Sequence, residues 1–545
     1  MNASIKSQLE GIFGKWVTFE ENERLLYSHD VASLPGPVEK LVGKVADAVV
    51  LPENAGQVQR LVKLAKEKGL RLTPRGAGTT GYGGTLPIKK GIVVSFSRMR
   101  KIVKVDASNN LVTVEPGVVW DQLDKYLRQQ GLALRCYPSS GPSATVGGWI
   151  AEGGSGIGSY HGGFVEDNVV GVKVVTPDGN LHGYTGEQLA LFNRAEGITG
   201  FIVEATIKVD PAEEDRMILA SFASFDELSG ALQDLALLKL PLWHVNFTTA
   251  QYNRSKAESL ANPIVGGEGH GGAHGHDDGG SGTGITEMSK DLLFIVYRSS
   301  MAKQVEEPLK GLIARHKGKL MSPKAAQHEW EERFFPMRLK SLGPSLIPSE
   351  AIIPVASVDK VISEAEKALP GINIEGSMVG ANEFTLLCFL TGDERTAVFT
   401  LGFAKSLKLL EIAEKNGGRP YSAGLYFADR AENILGKDRV AKIRKFKAQQ
   451  DPKNLFNPGK ILPEGDNPLV IRAAMQVAGG TQPLINILEG FFSRNPQMRD
   501  KLPTALASAA FACAQCGYCN EVCTLSEGFT WESASPRSGI YCGNT

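Results

Sequence analysis

Residues 74–84 read PRGAGTTGYGG, and residues 85–91, TLPIKKG, determine which kind of fold can carry them. Gly76-Ala77-Gly78-Thr79-Thr80-Gly81 formally matches G-x-G-x-x-G. A dinucleotide-binding βαβ unit needs a helix to open here, so that its N-terminus faces a pyrophosphate. The proline and glycines of the continuing chain exclude a helix. That reading fails. What remains is a strand leading into a loop whose glycines let successive backbone N–H groups converge on an anion. Arg75 either adds charge to this loop or braces it.

The flanking text supports a mixed α+β block. Val58, Leu61, Val62 and Ala65 recur at helical spacing, and Gly69 stands behind them as a C-terminal cap. Residues 91–119 predict strands with a turn at Asn109–Asn110, then a helix at about 119–130. VVGVKVVTPDGNLHGY predicts a hairpin around Asp178–Gly179. A strand over 201–211 ends on Pro211. From 216 the character changes. MILASFASFDEL, LPLWHVNFTTA, DLLFIVYRS and NEFTLLCFLTG read as strands between helical stretches, an antiparallel α+β domain. Helices over roughly 396–415 and 430–448 precede the turn-forming run DPKNLFNPGKILP. The expected domains are 1–215, 216–415 with an insert at 266–284, a return segment 416–465 packing on the first domain, a helical linker 466–510, and a cysteine segment 511–545.

Composition narrows the function. Lys plus Arg and Asp plus Glu are both 59, so there is no chain-wide footprint for nucleic acid. The N-terminus has no apolar core of a secretory signal, and no run of 18 apolar residues occurs. The expectation is a cytoplasmic protein without a transmembrane segment. Glycine is the outlier: 24 of the 61 glycines fall in the windows 76–84, 141–163 and 266–284. The third window carries His270, His274 and His276 with Asp277 and Asp278. Imidazole and carboxylate could bind a divalent ion, but ordering so glycine-rich a stretch is costly, and a flexible insert is expected.

Three motifs occur in order: Pro74-Arg75-Gly76-x-Gly78-Thr79, Ser143-Ala144-Thr145-Val146-Gly147-Gly148, and Gly197-Ile198-Thr199-Gly200-Phe201-Ile202-Val203-Glu204-Ala205-Thr206. Carrying them, residues 35–463 resemble the vanillyl-alcohol oxidase / p-cresol methylhydroxylase (PCMH) superfamily. The ending Asp451-Pro452-x-x-Leu455-Phe456-Asn457-Pro458-Gly459-Lys460 resembles the D-lactate, glycolate and D-2-hydroxyglutarate dehydrogenase branch. The resemblance implies a PCMH-type two-subdomain FAD-binding domain and a ferredoxin-like antiparallel cap for the substrate. It implies that Gly76, Ala77, Gly78, Thr79, Thr80 and Gly81 hold the FAD pyrophosphate, with Pro74 and Arg75 also at the cofactor. Pro138, Ser143, Ala144, Thr145, Gly147, Gly148 and Gly153, with Gly197, Gly200, Ile202 and Val203, would wrap the rest of the cofactor, and Asn457 and Lys460 join them. Members with covalent flavin often carry His where this chain has Gly78, so a non-covalent FAD is implied.

The pattern breaks in the cap. The family's metal-binding H-x-G-D-G-N-x-H stretch is replaced by SMVGANEFTLLCFL, and its Glu-His-Gly stretch by Pro420-Tyr421-Ser422-Ala423-Gly424-Leu425-Tyr426. Oxidising a 2-hydroxy acid needs a base for the hydroxyl proton, an acceptor for hydride and a cation for the carboxylate. Arg338, Arg333 and Arg298 are candidate cations. His244 is a candidate base, although a lone histidine in an apolar strand is more often a core residue. Tyr421 and Tyr426 are the other catalytic candidates.

Cys513-x2-Cys516-x2-Cys519-x3-Cys523 has the spacing of bacterial ferredoxin ligands and points to a [4Fe–4S] cluster on a C-terminal helical segment. The region resembles the iron–sulfur subunit of glycolate oxidase and heterodisulfide-reductase-like proteins. In two-cluster ferredoxins the fourth cysteine serves the other cluster. Either Cys523 closes this one, or Cys542 does, or the set is completed elsewhere. Cys136 and Cys388 are expected to be structural.

Together these features predict an FAD-dependent dehydrogenase of a small organic donor. It would pass electrons through the cluster to a partner iron–sulfur protein, electron-transfer flavoprotein or quinone-reducing subunit, with any membrane association peripheral and through that partner. The competing expectation is an electron-relay subunit of a larger redox complex, without 2-hydroxy-acid activity of its own.

Overall fold

The computed structural model describes residues 1–32, 44–261, 288–334, 336–343, 345–392, 397–463, 513, 516–524, 531–536 and 538. The insert 266–284, the linker 466–510 and Cys542 lie outside the described residues. Three sheets organise the rest. The first holds β1 (Val17–Thr18), β2 (Ala48–Val50), β3 (Leu72–Arg75) and β4 (Ile92–Ser95) in the order β1-β2-β4-β3. β2 and β3 both run parallel to β4. The helix Ala55–Lys68 makes the crossover between β2 and β3. Asn54 caps its start by accepting from the Gln57 N–H, and Gly69 ends it at φ +68°. Val58, Leu61, Val62 and Ala65 are fully buried against the sheet, as their spacing requires.

The second sheet is antiparallel: β5 (Ile102–Asp106), β6 (Leu111–Val114), β10 (Phe201–Pro211), β8 (Val169–Val175) and β9 (Leu181–Thr185), in that spatial order. β7 (Leu132–Leu134) adds to the far end of β10. The β8–β9 hairpin closes through Thr176–Asn180, where Gly179 takes φ +83° and the Asp178 carboxylate accepts from the Thr176 hydroxyl and the Asn180 N–H.

The cap is an antiparallel sheet with eight strands among the described residues. They are β11 (Asp215–Phe222), β12 (His244–Thr248), β13 (Asp291–Arg298), β14 (Lys319–Leu320), β15 (Ser345–Pro354), β16 (Asn373–Val379), β17 (Glu383–Gly392) and β18 (Arg419–Pro420), ordered β14-β11-β13-β12-β16-β17-β15-β18. On β13, Leu293 and Ile295 join the core under the cap helices, while Leu292, Phe294 and Val296 join the core shared with the first domain. Burial on both faces explains why this strand reads as an unbroken apolar run. The expected 430–448 helix is two helices, Ala431–Leu435 and Lys437–Gln450, because Gly436 at φ +87° breaks the ladder.

The return segment closes the molecule. The Leu72 N–H donates to the Leu455 carbonyl at 2.8 Å and the Asn457 N–H to the Leu72 carbonyl at 2.8 Å, so this turn-rich run lies along β3. Phe456 packs against Phe201, ring centroids 4.7 Å apart.

Candidate active site between the glycine loops and the cap

β3 delivers Pro74 and Arg75 to the loop, which then turns across the face of a second glycine segment. A Cβ on Gly76 would sit 2.4 Å from Thr145 Oγ1, and one on Gly148 would sit 2.9 Å from the same atom. The Gly148 Cα would lie 3.4 Å from that Gly76 Cβ, so the two loops pack closely there. Thr145 caps the short helix Val146–Glu152 by accepting from the Gly148 N–H at 3.3 Å. Between these loops and the cap sheet runs one cavity of about 370 Å³.

Of the residues expected to hold a cofactor, Pro74, Arg75, Gly76, Ala77, Gly78, Thr79, Thr80, Gly81, Pro138, Ala144, Thr145, Gly147, Gly148, Gly197, Gly200 and Ile202 line this cavity. Five expected residues do not. Val203 sits at the irregularity of β10 between Ile202 and Glu204 and joins the core that holds Val175. Gly153 is a helix cap at φ +82° with the Arg194 side chain against it. The Ser143 hydroxyl donates to the Cys516 carbonyl at 2.5 Å. Asn457 and Lys460 act from behind the loop. The Asn457 amide donates to the Gly84 and Glu196 carbonyls at 2.9 and 2.6 Å, and Lys460 Nζ to the Leu86 carbonyl at 2.6 Å. Arg75 also braces: its buried guanidinium donates to the His29 carbonyl and lies over the Tyr27 ring.

The catalytic candidates divide similarly. His244 opens β12, is buried and lines the cavity, with the Gly158 N–H donating to Nδ1 at 3.4 Å. Burial, reinforced by the Arg333 charge, lowers its pKa to about 3, so the imidazole is neutral and weakly basic. Tyr421 and Tyr426 also line the cavity. The Tyr421 hydroxyl bonds both the carbonyl and the N–H of Ser155 at 3.2 Å, which ties the second glycine loop to the cap. Arg338 lies outside the lining, because it pairs with Glu332. Of the three candidate cations, Arg333 lies in the wall. Its guanidinium lies over the Trp330 and Phe334 rings at 4.0 and 4.2 Å. Arg298 pairs with Asp215 and lies over Trp243.

Sequence reasoning missed the acids. Glu152, Glu196, Glu329, Glu332, Glu350 and Glu375 all reach the cavity, with Lys256, Arg333 and Lys340 as cations. Burial raises Glu196 and Glu350 to about 7 and pushes Glu152 well up. Asp30, which accepts from the Gly83 N–H at 2.8 Å behind the loop, is raised to about 6 by burial.

These residues fit FAD. The loop side of the cavity is rich in glycine, with Gly76, Gly78, Gly81, Gly147 and Gly148 in its wall, and Glu196 Oε1 is a buried polar atom with no hydrogen-bond partner among the described residues. FAD held there supplies a two-electron acceptor. Cys513, Cys516, Cys519 and Cys523 are half-buried, and the Cys516 residue borders the cavity. Tyr518 anchors this segment by donating to the Ser139 and Phe334 carbonyls at 3.0 and 2.7 Å, and Arg100 pairs with Glu521 at 3.1 Å. Among the described residues no three His, Cys, Asp or Glu side chains converge on a metal position. Cys136 and Cys388 are buried. No helix of the described residues is long and apolar enough to cross a membrane.

Comparison with known proteins agrees with this geometry. The family model of an FAD binding domain matches residues 46–184. Glycolate oxidase subunit GlcD of Bacillus subtilis is 26% identical over 486 residues, covering 84% of this chain and 96% of that protein. The D-lactate dehydrogenase of Archaeoglobus fulgidus is 25% identical over 435 residues, covering 76% and 91%. Among solved structures, p-cresol methylhydroxylase with substrate bound superposes with a TM-score of 0.67 at 16% identity, over 84% of this chain and 96% of that one. The chain is an FAD-linked oxidoreductase with the fold of p-cresol methylhydroxylase, similar in sequence to glycolate oxidase subunit GlcD and D-lactate dehydrogenase.

Proposed function

We propose that the chain oxidises a small 2-hydroxy acid, with D-lactate and glycolate as first candidates, at a non-covalently held FAD, and delivers the electrons to a partner carrier. The observation that carries this reading is the cavity itself, glycine-rich on the loop side with a polar cap wall carrying cations on the other. Arg333 is the candidate to hold a carboxylate there, its orientation kept by the two aromatic faces beneath it. Tyr421 holds the cap wall against the loop and so limits water entry at that seam. The relatives, a glycolate oxidase subunit and D-lactate dehydrogenases, support the donor class. GlcD being a subunit supports a partner as acceptor: an iron–sulfur protein, an electron-transfer flavoprotein or a quinone-reducing subunit.

The cysteine spacing supports a [4Fe–4S] centre on Cys513, Cys516, Cys519 and Cys523, with Cys542 as an alternative ligand. Iron and acid-labile sulfide analysis of anaerobically purified protein tests it, with about four of each per chain expected for one such cluster. The donor reading predicts that D-lactate, glycolate or D-2-hydroxyglutarate bleaches the flavin absorbance under anaerobic conditions. Failure of all three would favour a relay subunit with no activity of its own toward these acids, the reading that the replaced cap motifs support.

A further inference from the structure

We propose that Glu350 is the proton acceptor for the donor's hydroxyl group. The proposal rests on reading the chain as a dehydrogenase of an alcohol carbon. Six carboxylates reach the cavity, and five have other duties or positions. Glu329 holds Lys256 through both oxygens at 2.8 Å, and Glu332 pairs with Arg338. Glu375 accepts from the Asn246 amide at 3.0 Å and from the Tyr252 hydroxyl. Glu152 accepts from the Thr80 hydroxyl at 2.5 Å, and Glu196 lies against Gly84, both on the loop side. Glu350 comes from the cap strand β15 and meets the loop where the two domains join, its carboxylate accepting from the Tyr82 hydroxyl. Tyr82 lies within the glycine loop, between Gly81 and Gly83, and packs on Tyr421, ring centroids 6.1 Å apart. One hydrogen bond thus fixes the carboxylate across the seam and leaves acceptor capacity for a ligand.

The groups facing Glu350 come from every side. Tyr82 comes from the loop, Glu152 from the helix Val146–Glu152, Tyr421 from beside β18 and Cys388 from β17. On the neighbouring turn Lys340 is directed to the Cys513 carbonyl, and on the helix Ala397–Lys415 the Ser406 carbonyl accepts from Ser349. Burial raises the Glu350 carboxyl to about 7, which suits a base working near neutral pH, whereas His244 at about 3 is a poor one. In the step, the donor O–H bond breaks and its proton goes to Glu350. The C–H bond breaks with its electron pair passing as hydride to FAD, and the C=O bond forms. The carboxylate becomes a carboxylic acid, and FAD is the two-electron oxidant.

The test compares wild type, Glu350→Gln and Glu350→Asp as FAD-loaded protein. Anaerobic flavin reduction by the three hydroxy acids should slow by about 100-fold or more in Glu350→Gln and lose its rise through neutral pH, with FAD content unchanged. Glu350→Asp should recover part of the rate. A second readout needs no donor. A carboxyl whose folded pKa lies above its unfolded value contributes stability that is present at low pH and lost as pH rises through the folded value. The wild-type melting temperature should therefore fall further between about pH 5 and 8 than that of Glu350→Gln. Flavin reduction by Glu350→Gln within about threefold of wild type, with the same pH profile, would overturn the assignment. So would identical stability profiles, whether or not a donor is found. Wild-type flavin that none of the three acids reduces counts against the donor class, a result the stability profiles do not share.

Discussion

Gly76→Val is expected to yield a folded protein that has lost most of its FAD affinity. Gly76 is where the two cofactor loops meet: the added Cβ would sit 2.4 Å from Thr145 Oγ1 and 3.4 Å from the Gly148 Cα. Neither neighbour is free to move. Thr145 Oγ1 caps the helix Val146–Glu152, and Gly147 is held against Pro116 through its N–H bond to the Pro116 carbonyl at 2.8 Å. Overpacking of this kind costs about 1–3 kcal/mol, and spent on separating the cavity walls it lowers ligand affinity by about 10- to 100-fold. FAD titration monitored by flavin fluorescence quenching measures it. Gly11→Ala is the matched control. Gly11 lies inside the helix Ala3–Phe13 with nothing within 4 Å of an added Cβ, and the exchange should stabilise by about 0.5–1 kcal/mol.

The second large effect lies away from the cavity. Lys447→Met should destabilise the protein by about 3–5 kcal/mol, because it strands a buried carboxylate. Lys447 Nζ donates to Asp451 Oδ2 at 2.7 Å and to the Phe456 carbonyl at 2.6 Å, and the Asp451 carboxylate also accepts the Leu455 and Phe456 N–H groups at 2.9 Å. This network folds the run that lies along β3 and presents Asn457 and Lys460 to the back of the FAD loop. FAD should therefore dissociate at a lower temperature than in wild type, which a flavin-fluorescence melt would show. Lys453→Ala, at an exposed site in the same run, should change stability by no more than about 0.5 kcal/mol.

The loops were legible because their glycines stand in ordered motifs, Pro74–Thr79 and Ser143–Gly148, which the glycine-rich run 266–284 lacks. The elements around them could be read from period and caps, as in the helix Ala55–Lys68. What the sequence left open was sidedness. Asn457 and Lys460 sit in a motif that accompanies the cofactor, yet they brace its loop from behind, and no pattern in DPKNLFNPGK says which side they face. Val203 was not decidable from alternation, because β10 is irregular between Ile202 and Glu204, and the adjacent Phe201 and Ile202 both line the cavity. Choosing Arg333 over Arg338 required the turn Pro336–Leu342, which brings Arg338 back onto Glu332. Glu350 was hidden by its strand. In SLIPSEAIIP it resembles any polar residue of a half-buried strand, and only the β15–β17 register and the docking of Tyr82 give it a role.

All of this turns on whether the cavity between the glycine loops and the cap holds FAD, and holds it without a covalent bond. Acid precipitation of the purified protein, with chromatography of the supernatant, answers both points at once. About one FAD per chain is expected, all released into the supernatant, with its loss in Gly76→Val but not in Gly11→Ala. Protein that neither carries flavin nor takes it up when FAD is supplied, or flavin that stays with the pellet, would contradict this picture of the site.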